Sequence, residues 1–384
     1  METSILFLVP RLHTNMLGWL DGLGQLGVTH KTLAMKSSTS ENYQFGAPQL
    51  VKTIELSWLS SKRKAWLHEK LNLPSLKWLL REVQQIAPKY IIVRVELNVT
   101  SLIFLLAIKS TKIPYVIYSQ WPLIGLDPIR SRIRKIIVRL TAADIITPCL
   151  SKNEPWTIIP QLKSNSNNLF LVPFSIPSHG HEEIPLNKLD RKTPLIFLTI
   201  GKFQIRKNHI ASLKALLVNE AFLESNCNAI IIGEVSTKEH ESVFQEVNSF
   251  LASELNGSRV QLKTNLSHSQ TLKEISKCDV FFLLSINEPA SISNLEAMSF
   301  GKPVIIMNGN GTANYLRSGE GGFIVSDFDE FDKKITTFIG DRNLLVTCQR
   351  ENLKRIKDIS NPRKNAKYLI NILSQSNNGK PKDG

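Results

Sequence analysis

Short runs of β-favouring residues alternate with helical stretches from residue 5 to about residue 325, and no feature of the chain restricts its fold more. Runs of four to eight such residues lie at 5–9, 90–97, 115–119, 144–147 and 169–172, then at 195–200, 229–232, 280–284 and 303–306, with helical spacing between them. That alternation predicts parallel sheets covered by helices, hence an α/β fold. At 384 residues the chain is long enough for two doubly wound units at ~100–200 residues per domain. Periodicity is weakest between 173 and 193, where Pro173, Pro177 and Pro185 punctuate a polar stretch. The expected organisation is therefore a Rossmann-like domain over 1–175, a linker over 176–193, a second Rossmann-like domain over 194–375 and a disordered polar tail over 376–384.

Composition removes several classes. Apolar residues at 42% and charged residues at 21% match ordinary globular usage and exclude a disordered or collagen-like chain. No apolar run reaches the ~18–20 residues that cross a bilayer, and the longest, 101–108, has only strand length. Residues 1–10 lack the basic segment and cleavage site of a signal peptide. Cys149, Cys227, Cys278 and Cys348 show no paired spacing, so neither a zinc site nor a disulfide framework is expected, and a cytoplasmic location fits. His179 and His181 have no clustered acid or Cys beside them and read as linker histidines, not metal ligands.

The formal charge of +14 is unevenly divided, with 21 Lys and Arg against 10 Asp and Glu in residues 1–180 and 26 against 23 in the rest. A basic first half attracts phosphates, whether on nucleic acid, an anionic membrane or a phosphorylated substrate. No zinc finger, RNA-binding aromatic signature or helix-turn-helix is present, so no nucleic-acid partner is expected. Residues 129–140 place Ile129, Ile133, Ile136, Ile137 and Leu140 at helical spacing among Arg130, Arg134, Lys135 and Arg139. Such a helix lies either on anionic lipid or on its own sheet with solvated arginines. A second basic-aromatic region contains Trp58, Lys62, Arg63, Lys64, Trp66, Lys77 and Trp78, and the two together suggest peripheral attachment to an anionic membrane surface.

The most informative stretch is 285–305. A strand ends near Leu284, a turn carries Glu288, a helix begins near Ser291, and another strand starts at Pro303. Open α/β sheets bind ligands at such places, beyond the carboxyl ends of strands. Amides near Ser291 and Ile292 would donate to phosphate oxygens, and Glu296 could accept from sugar hydroxyls.

At Glu288, Glu296, Ala297, Met298, Gly301, Pro303, Val304 and Ile305 the sequence resembles the retaining glycosyltransferases of the GT-B fold, family 4 type, or group 1 glycosyltransferases. Gly201, Lys202, Lys207 and Asn208, directly after a predicted strand, resemble that family's diphosphate-facing segment. Further similarity runs through Gly311, Asn314, Gly322 and Phe323, and weaker similarity earlier through Gly27, Pro148 and Pro173. The chain departs from the family at Ala290 and Ser291, where Phe-Gly is common, at Lys202 for Arg, at Asn314 for an acid and at Gln120 for a His; the first loop, from Pro10 to Trp19, is not Gly-rich.

The resemblance implies two Rossmann-like domains facing a central cleft, the first on the acceptor side and the second binding a nucleotide diphosphate sugar. In that scheme Gly201, Lys202, Lys207, Ser291, Ile292 and Glu296 bind the donor, and Glu288 is catalytic at the transferred sugar. His13, Asn15 and Gln120 are the acceptor-side or sugar-contacting candidates, while Arg206 reads as solvated. The implied reaction is retaining hexosyl transfer to a glycan or lipid-linked glycan hydroxyl in cell-surface polysaccharide biosynthesis. The nucleotide sugar is a co-substrate, and no cofactor or metal is expected. The location implied is cytoplasmic, peripheral at the inner face of the cytoplasmic membrane. The alternative is a catalytically inactive GT-B protein that binds a sugar nucleotide or a partner, suggested by Gln120, Ser291 and Asn314.

Overall fold

The computed structural model describes residues 5–37, 41, 43–54, 73–95, 99–120, 143–149, 162–163, 168–177 and 193–376. The basic stretch 129–140, the Trp58 and Trp66 region, most of the linker with His179 and His181, and the tail from 377 lie outside the described residues. The chain folds as two compact units, the first made of Met1–Leu150, Thr157–Pro177 and Asn361–Gly384, the second containing Ser178–Ser360.

In chain order the first unit has β1 (Ile5–Arg11), α1 (Leu17–Gln25), β2 (His30–Lys36), β3 (Gln49–Leu50), α2 (Leu76–Ile86), β4 (Tyr90–Arg94), α3 (Val99–Thr111), β5 (Tyr115–Tyr118), β6 (Asp144–Thr147), β7 (Leu162–Lys163) and β8 (Asn168–Leu171). The described strands form one sheet in the order β3-β2-β1-β4-β5-β6-β8-β7. Every pairing is parallel except β7 with β8. β1 explains why the central strands read as continuous apolar runs. Phe7 and Val9 pack on one face with Trp19, while Leu6 and Leu8 pack on the other with Leu79 and Phe104, so no position is left for a polar residue.

The second unit continues with β9 (Ile196–Ile200), α4 (His209–Leu217), α5 (Glu220–Glu224), β10 (Asn228–Gly233), α6 (Lys238–Ser253), β11 (Val260–Thr264), α7 (His268–Lys277), β12 (Val280–Leu283), α8 (Ile292–Ser299), β13 (Val304–Met307), β14 (Gly322–Val325), α9 (Phe328–Gly340) and α10 (Asn343–Ile359). Its sheet is parallel throughout, in the order β11-β10-β9-β12-β13-β14. The strand order reverses between β9 and β12, so the connections after these two strands leave toward opposite sides. They open a crevice at their carboxyl ends, the ordinary ligand position of such sheets.

The apolar run 101–108, too short to cross a bilayer, lies inside helix α3. It is apolar on nearly every side, so it carries no period by which helix and strand could be told apart. The last helix, α11 (Pro362–Gln375), joins the first unit, not the second. Gly18 and Gly22 on α1 are the cause: a Cβ on Gly18 would lie 1.8 Å from the Ser175 carbonyl oxygen and one on Gly22 2.1 Å from that of Pro362. That bare strip lets α11 bury Ala366, Leu369, Ile372 and Leu373 in the first unit's core. Trp19 Nε1 donates to Pro173 O at 2.8 Å, and Asn365 Nδ2 to Ser175 Oγ at 3.1 Å, beside the same contact.

Candidate active site

The crevice of the second sheet gathers the residues singled out at 199–208 and 285–296. The segment after β9 turns through Gly201 and a 3-10 turn, Ile205–Lys207, before α4. A Cβ on Gly201 would lie 3.0 Å from Lys207 Cδ, so the glycine lets the lysine stem lie against the backbone. Asn208 takes the left-handed conformation, φ 58°, and its Nδ2 donates to Leu284 O at 3.3 Å, while Ile286 N donates to Arg206 O at 2.8 Å. These bonds tie the segments after β9 and β12 together.

Glu288 follows Asn287, another left-handed residue with φ 51°. Its carbonyl oxygen accepts from Gly311 N at 2.8 Å, and a Cβ on Gly311 would lie 1.9 Å from Pro289 O, so this close crossing requires glycine. The carboxylate is buried, with Lys207 Nζ at 2.5 Å and Arg206 Nη1 at 2.7 Å. Burial acts to raise the Glu288 pKa, but the Lys207 ammonium and then the Arg206 guanidinium outweigh it and hold it below the usual carboxylate value. Lys207 is itself lowered, mainly by burial, with Glu288 opposing. Arg206, expected to be solvated, is half of this arrangement although 42% of its side chain is exposed.

Lys202 pairs with Glu234 at 3.0 Å, an acid from beyond β10 that sequence spacing does not single out. Behind it, buried His209 donates from Nε2 to Lys202 O at 3.2 Å, and burial lowers its pKa to about 4, so it is neutral at neutral pH.

Ser291 is the buried N-cap of α8 and makes no side-chain capping bond, and Ile292 opens the helix. The Thr312 hydroxyl lies 2.8 Å from Asn310 Oδ1 and 3.2 Å from both Ser291 O and Asn294 Oδ1. Asn294 Nδ2, Asn310 Nδ2 and Ser285 Oγ are buried without hydrogen-bond partners. Orphaned donors of that kind cost about 1–3 kcal/mol each. Glu296, just over one turn into α8 from its start, is buried and accepts from His268 Nε2 at 2.6 Å. His268 is the first residue of α7, behind a capping box made by Ser267 and Gln270. Asn314, in the usual acid's place, accepts at its carbonyl oxygen from Arg355 Nη2 at 3.3 Å.

The remaining candidates lie in the first unit, at the carboxyl ends of β1 and β5. His13 Nδ1 lies 3.1 Å from Glu41 Oε1, which Arg11 also meets at 2.9 Å. Thr14 donates to the second Glu41 oxygen from its backbone at 2.5 Å and from its hydroxyl at 2.6 Å. Burial works to raise Glu41, yet the His13 hydrogen bond and charge, the Thr14 hydrogen bond and the Arg11 charge bring its pKa down to about 2. His13 is lowered, chiefly by burial, with Arg94 adding to the effect. Gln120 accepts from Arg94 Nη2 at 2.7 Å and donates to Tyr118 Oη at 2.9 Å. Asn15 Oδ1 is buried without a partner. Among the described residues no cluster of three or more His, Cys, Asp or Glu could hold a metal, and the four cysteines are buried and form no disulfide.

Two parallel, helix-covered sheets are the architecture of GT-B glycosyltransferases, and the solved structures like this chain are of that kind. A glycosyltransferase from Rickettsia africae is 12% identical, covers 98% of this chain and 99% of its own, and superposes with a TM-score of 0.69. HepE from Anabaena, in complex with UDP and glucose, is 12% identical and covers 97% of this chain and 99% of its own, with a TM-score of 0.72. Residues 181–355 match the model of the glycosyl transferases group 1 family. A GDP-Man:Man(3)GlcNAc(2)-PP-Dol alpha-1,2-mannosyltransferase of Dictyostelium discoideum is 23% identical over 220 residues, 54% of this chain. The match takes in less than half of that relative, 43% of its length.

Proposed function

We propose that the protein transfers a hexose from a nucleotide diphosphate sugar to a hydroxyl of a glycan or lipid-linked glycan. The observation that carries this reading is the convergence of Lys207, Arg206, Glu288 and the α8 start at the crevice between β9 and β12. Lys202, Lys207 and the amides at Ser291 and Ile292 take the diphosphate, the group on which negative charge grows as the sugar leaves. Glu296 takes the ribose hydroxyls and Glu288 the transferred sugar. HepE binds UDP-glucose and the Dictyostelium relative acts on a dolichol-linked acceptor, which supports a nucleotide sugar donor and a lipid-linked acceptor for this chain.

Retention of anomeric configuration follows if the acceptor oxygen attacks from the leaving-group face. The bond from C1 to the phosphate oxygen breaks, the bond from C1 to the acceptor oxygen forms, and the acceptor proton passes to the departing phosphate. No protein nucleophile is needed. The test is a panel of nucleotide sugars read by thermal shift and by nucleoside diphosphate release. A donor at 100 times its Kd stabilises by about 2.7 kcal/mol, and failure of every donor to shift the protein overturns the reading.

The three cations near the crevice supply the positive potential that other transferases draw from a divalent ion. Turnover is therefore expected to survive chelation. Complete inhibition by chelator, reversed by magnesium or manganese, contradicts this.

Glu296 accepts from His268 through Oε1, which fixes the carboxylate and directs Oε2 to a ribose hydroxyl. His268→Phe removes the donor and is expected to weaken nucleoside diphosphate binding by about tenfold, ~1.4 kcal/mol. Affinity for inorganic pyrophosphate, which has no ribose, should not change. An equal loss for both ligands assigns His268 a purely structural part.

A further inference from the structure

The first unit carries an apolar stripe on its outer surface. Helix α3 buries Ser101, Phe104, Leu105, Ala107 and Ile108, yet turns Val99, Leu102 and Leu106 outward at 46%, 48% and 64% exposure. Their spacing of three and four residues puts all three on one face, along about 10 Å of helix. Packing against its own sheet explains one apolar face of a helix and not a second. Helix α2 packs beside α3 and adds Leu76, 42% exposed, and half-buried Trp78 and Leu80.

Cations border this stripe. Lys77 and Arg81 on α2, Lys109 on α3 and Lys112 just after it are exposed. The one acid in the two helices, Glu82, is engaged by Gln49 Nε2 at 2.8 Å and Lys31 Nζ at 3.4 Å. Position matters as well. α3 runs back from the carboxyl end of β4, whose last residue, Arg94, holds Gln120. The Val99 end of the stripe therefore lies toward the sheet edge that carries the acceptor-side candidates.

We propose that the α2–α3 face docks on an anionic lipid bilayer, a surface that rests on the reading of a lipid-linked acceptor. Val99, Leu102, Leu106 and Leu76 enter the interfacial layer, while Lys77, Arg81 and Lys109 sit at the level of the lipid phosphates. The charge of the first half, 21 basic against 10 acidic residues, complements that partner. A second copy fits worse, because a two-fold interface would set these cations against their own images. Docking of this face would bring the strand ends of the first unit to a lipid-borne acceptor without a membrane-spanning helix.

The test compares the wild-type chain with Leu102→Ser/Leu106→Ser in sedimentation with phosphatidylglycerol-containing and pure phosphatidylcholine vesicles. The wild type is expected to sediment with anionic vesicles at low salt and much less with neutral ones. The double variant should partition about tenfold less, with an unchanged thermal midpoint, because both leucines are exposed. Donor hydrolysis without vesicles should be equal in the two proteins. Wild type that ignores anionic vesicles overturns membrane docking, and equal sedimentation of the variant overturns this face as its site. A dimer that dissociates in the variant gives the face to a second copy and equally overturns the proposal. Loss of donor hydrolysis in the wild type would sink the enzymatic reading instead, and vesicle binding reads out independently of it.

Discussion

Glu288→Gln is expected to lower turnover by about 10²-fold or more, or ~2.7 kcal/mol of transition-state stabilisation, without raising the Michaelis constant. The split follows from the ion pairs. Lys207 and Arg206 both point at Glu288, at 2.5 and 2.7 Å. On the proposed mechanism the donor diphosphate then competes with Glu288 for these cations. Removing the carboxylate charge abolishes the competition, so nucleoside diphosphate should bind the variant as tightly as the wild type or more so. On the same mechanism chemistry at the sugar still fails, because the group assigned to face it is gone. Stability should drop, since a buried ammonium loses a counter-charge, and rates are to be compared well below the thermal midpoint. Full turnover in Glu288→Gln would remove this residue from the mechanism.

The parts of the fold that sequence conveys are those where burial is extreme. β1 and β12 lie inside their sheets, every residue of β12 is buried, and both read as unbroken apolar runs. β2 escaped detection because Lys31 and Lys36 leave only Leu33, Ala34 and Met35 as its apolar centre. β11 is an edge strand in which exposed Gln261 and Thr264 break the run. For α11 the helix itself was legible but its unit was not. Its backbone meets α1 at Gly22, more than three hundred residues earlier, while Gly18 beside it meets Ser175. Glycines four apart on a helix are a signal for close helix approach, though they do not identify the partner.

The candidate site divides in the same way. Glu288, Lys207, Ser291 and Glu296 stand on strand ends and helix starts, where local pattern alone suggests ligand contact. Their supporting partners come from elsewhere in the chain: Glu234 beyond β10, His268 at the head of α7, Gly311 beyond β13. Only the sheet order brings them together. Arg206 was misread because an arginine in a polar loop is usually solvated; Ile286 N, by bonding to Arg206 O, holds its backbone within reach of Glu288.

Lys207→Ala and Lys202→Ala are expected to differ in stability while agreeing in ligand affinity. Lys207 is buried against a buried carboxylate, and its loss leaves Glu288 with Arg206 as its remaining charge partner. Breaking such a pair costs up to about 3–5 kcal/mol, less here because Arg206 remains. Glu288 has a lowered folded-state pKa, so its ion pairs stabilise the protein above the ordinary carboxylate value and cease to do so as pH falls through the lowered one. In Lys207→Ala that contribution shrinks, and the stability difference from wild type should narrow on acidification. Lys202 pairs with Glu234 at a site where 36% of its side chain is exposed. Its loss should change stability by less than about 1 kcal/mol. Each variant nevertheless leaves a diphosphate charge less compensated and should weaken nucleoside diphosphate binding by about tenfold or more, ~1.4 kcal/mol, with the double variant losing more than either. Calorimetry with the nucleoside diphosphate and thermal unfolding at two pH values check both halves. Unchanged affinity in all three variants would put the diphosphate elsewhere, and equal stability losses at the two lysines would contradict the burial that separates them.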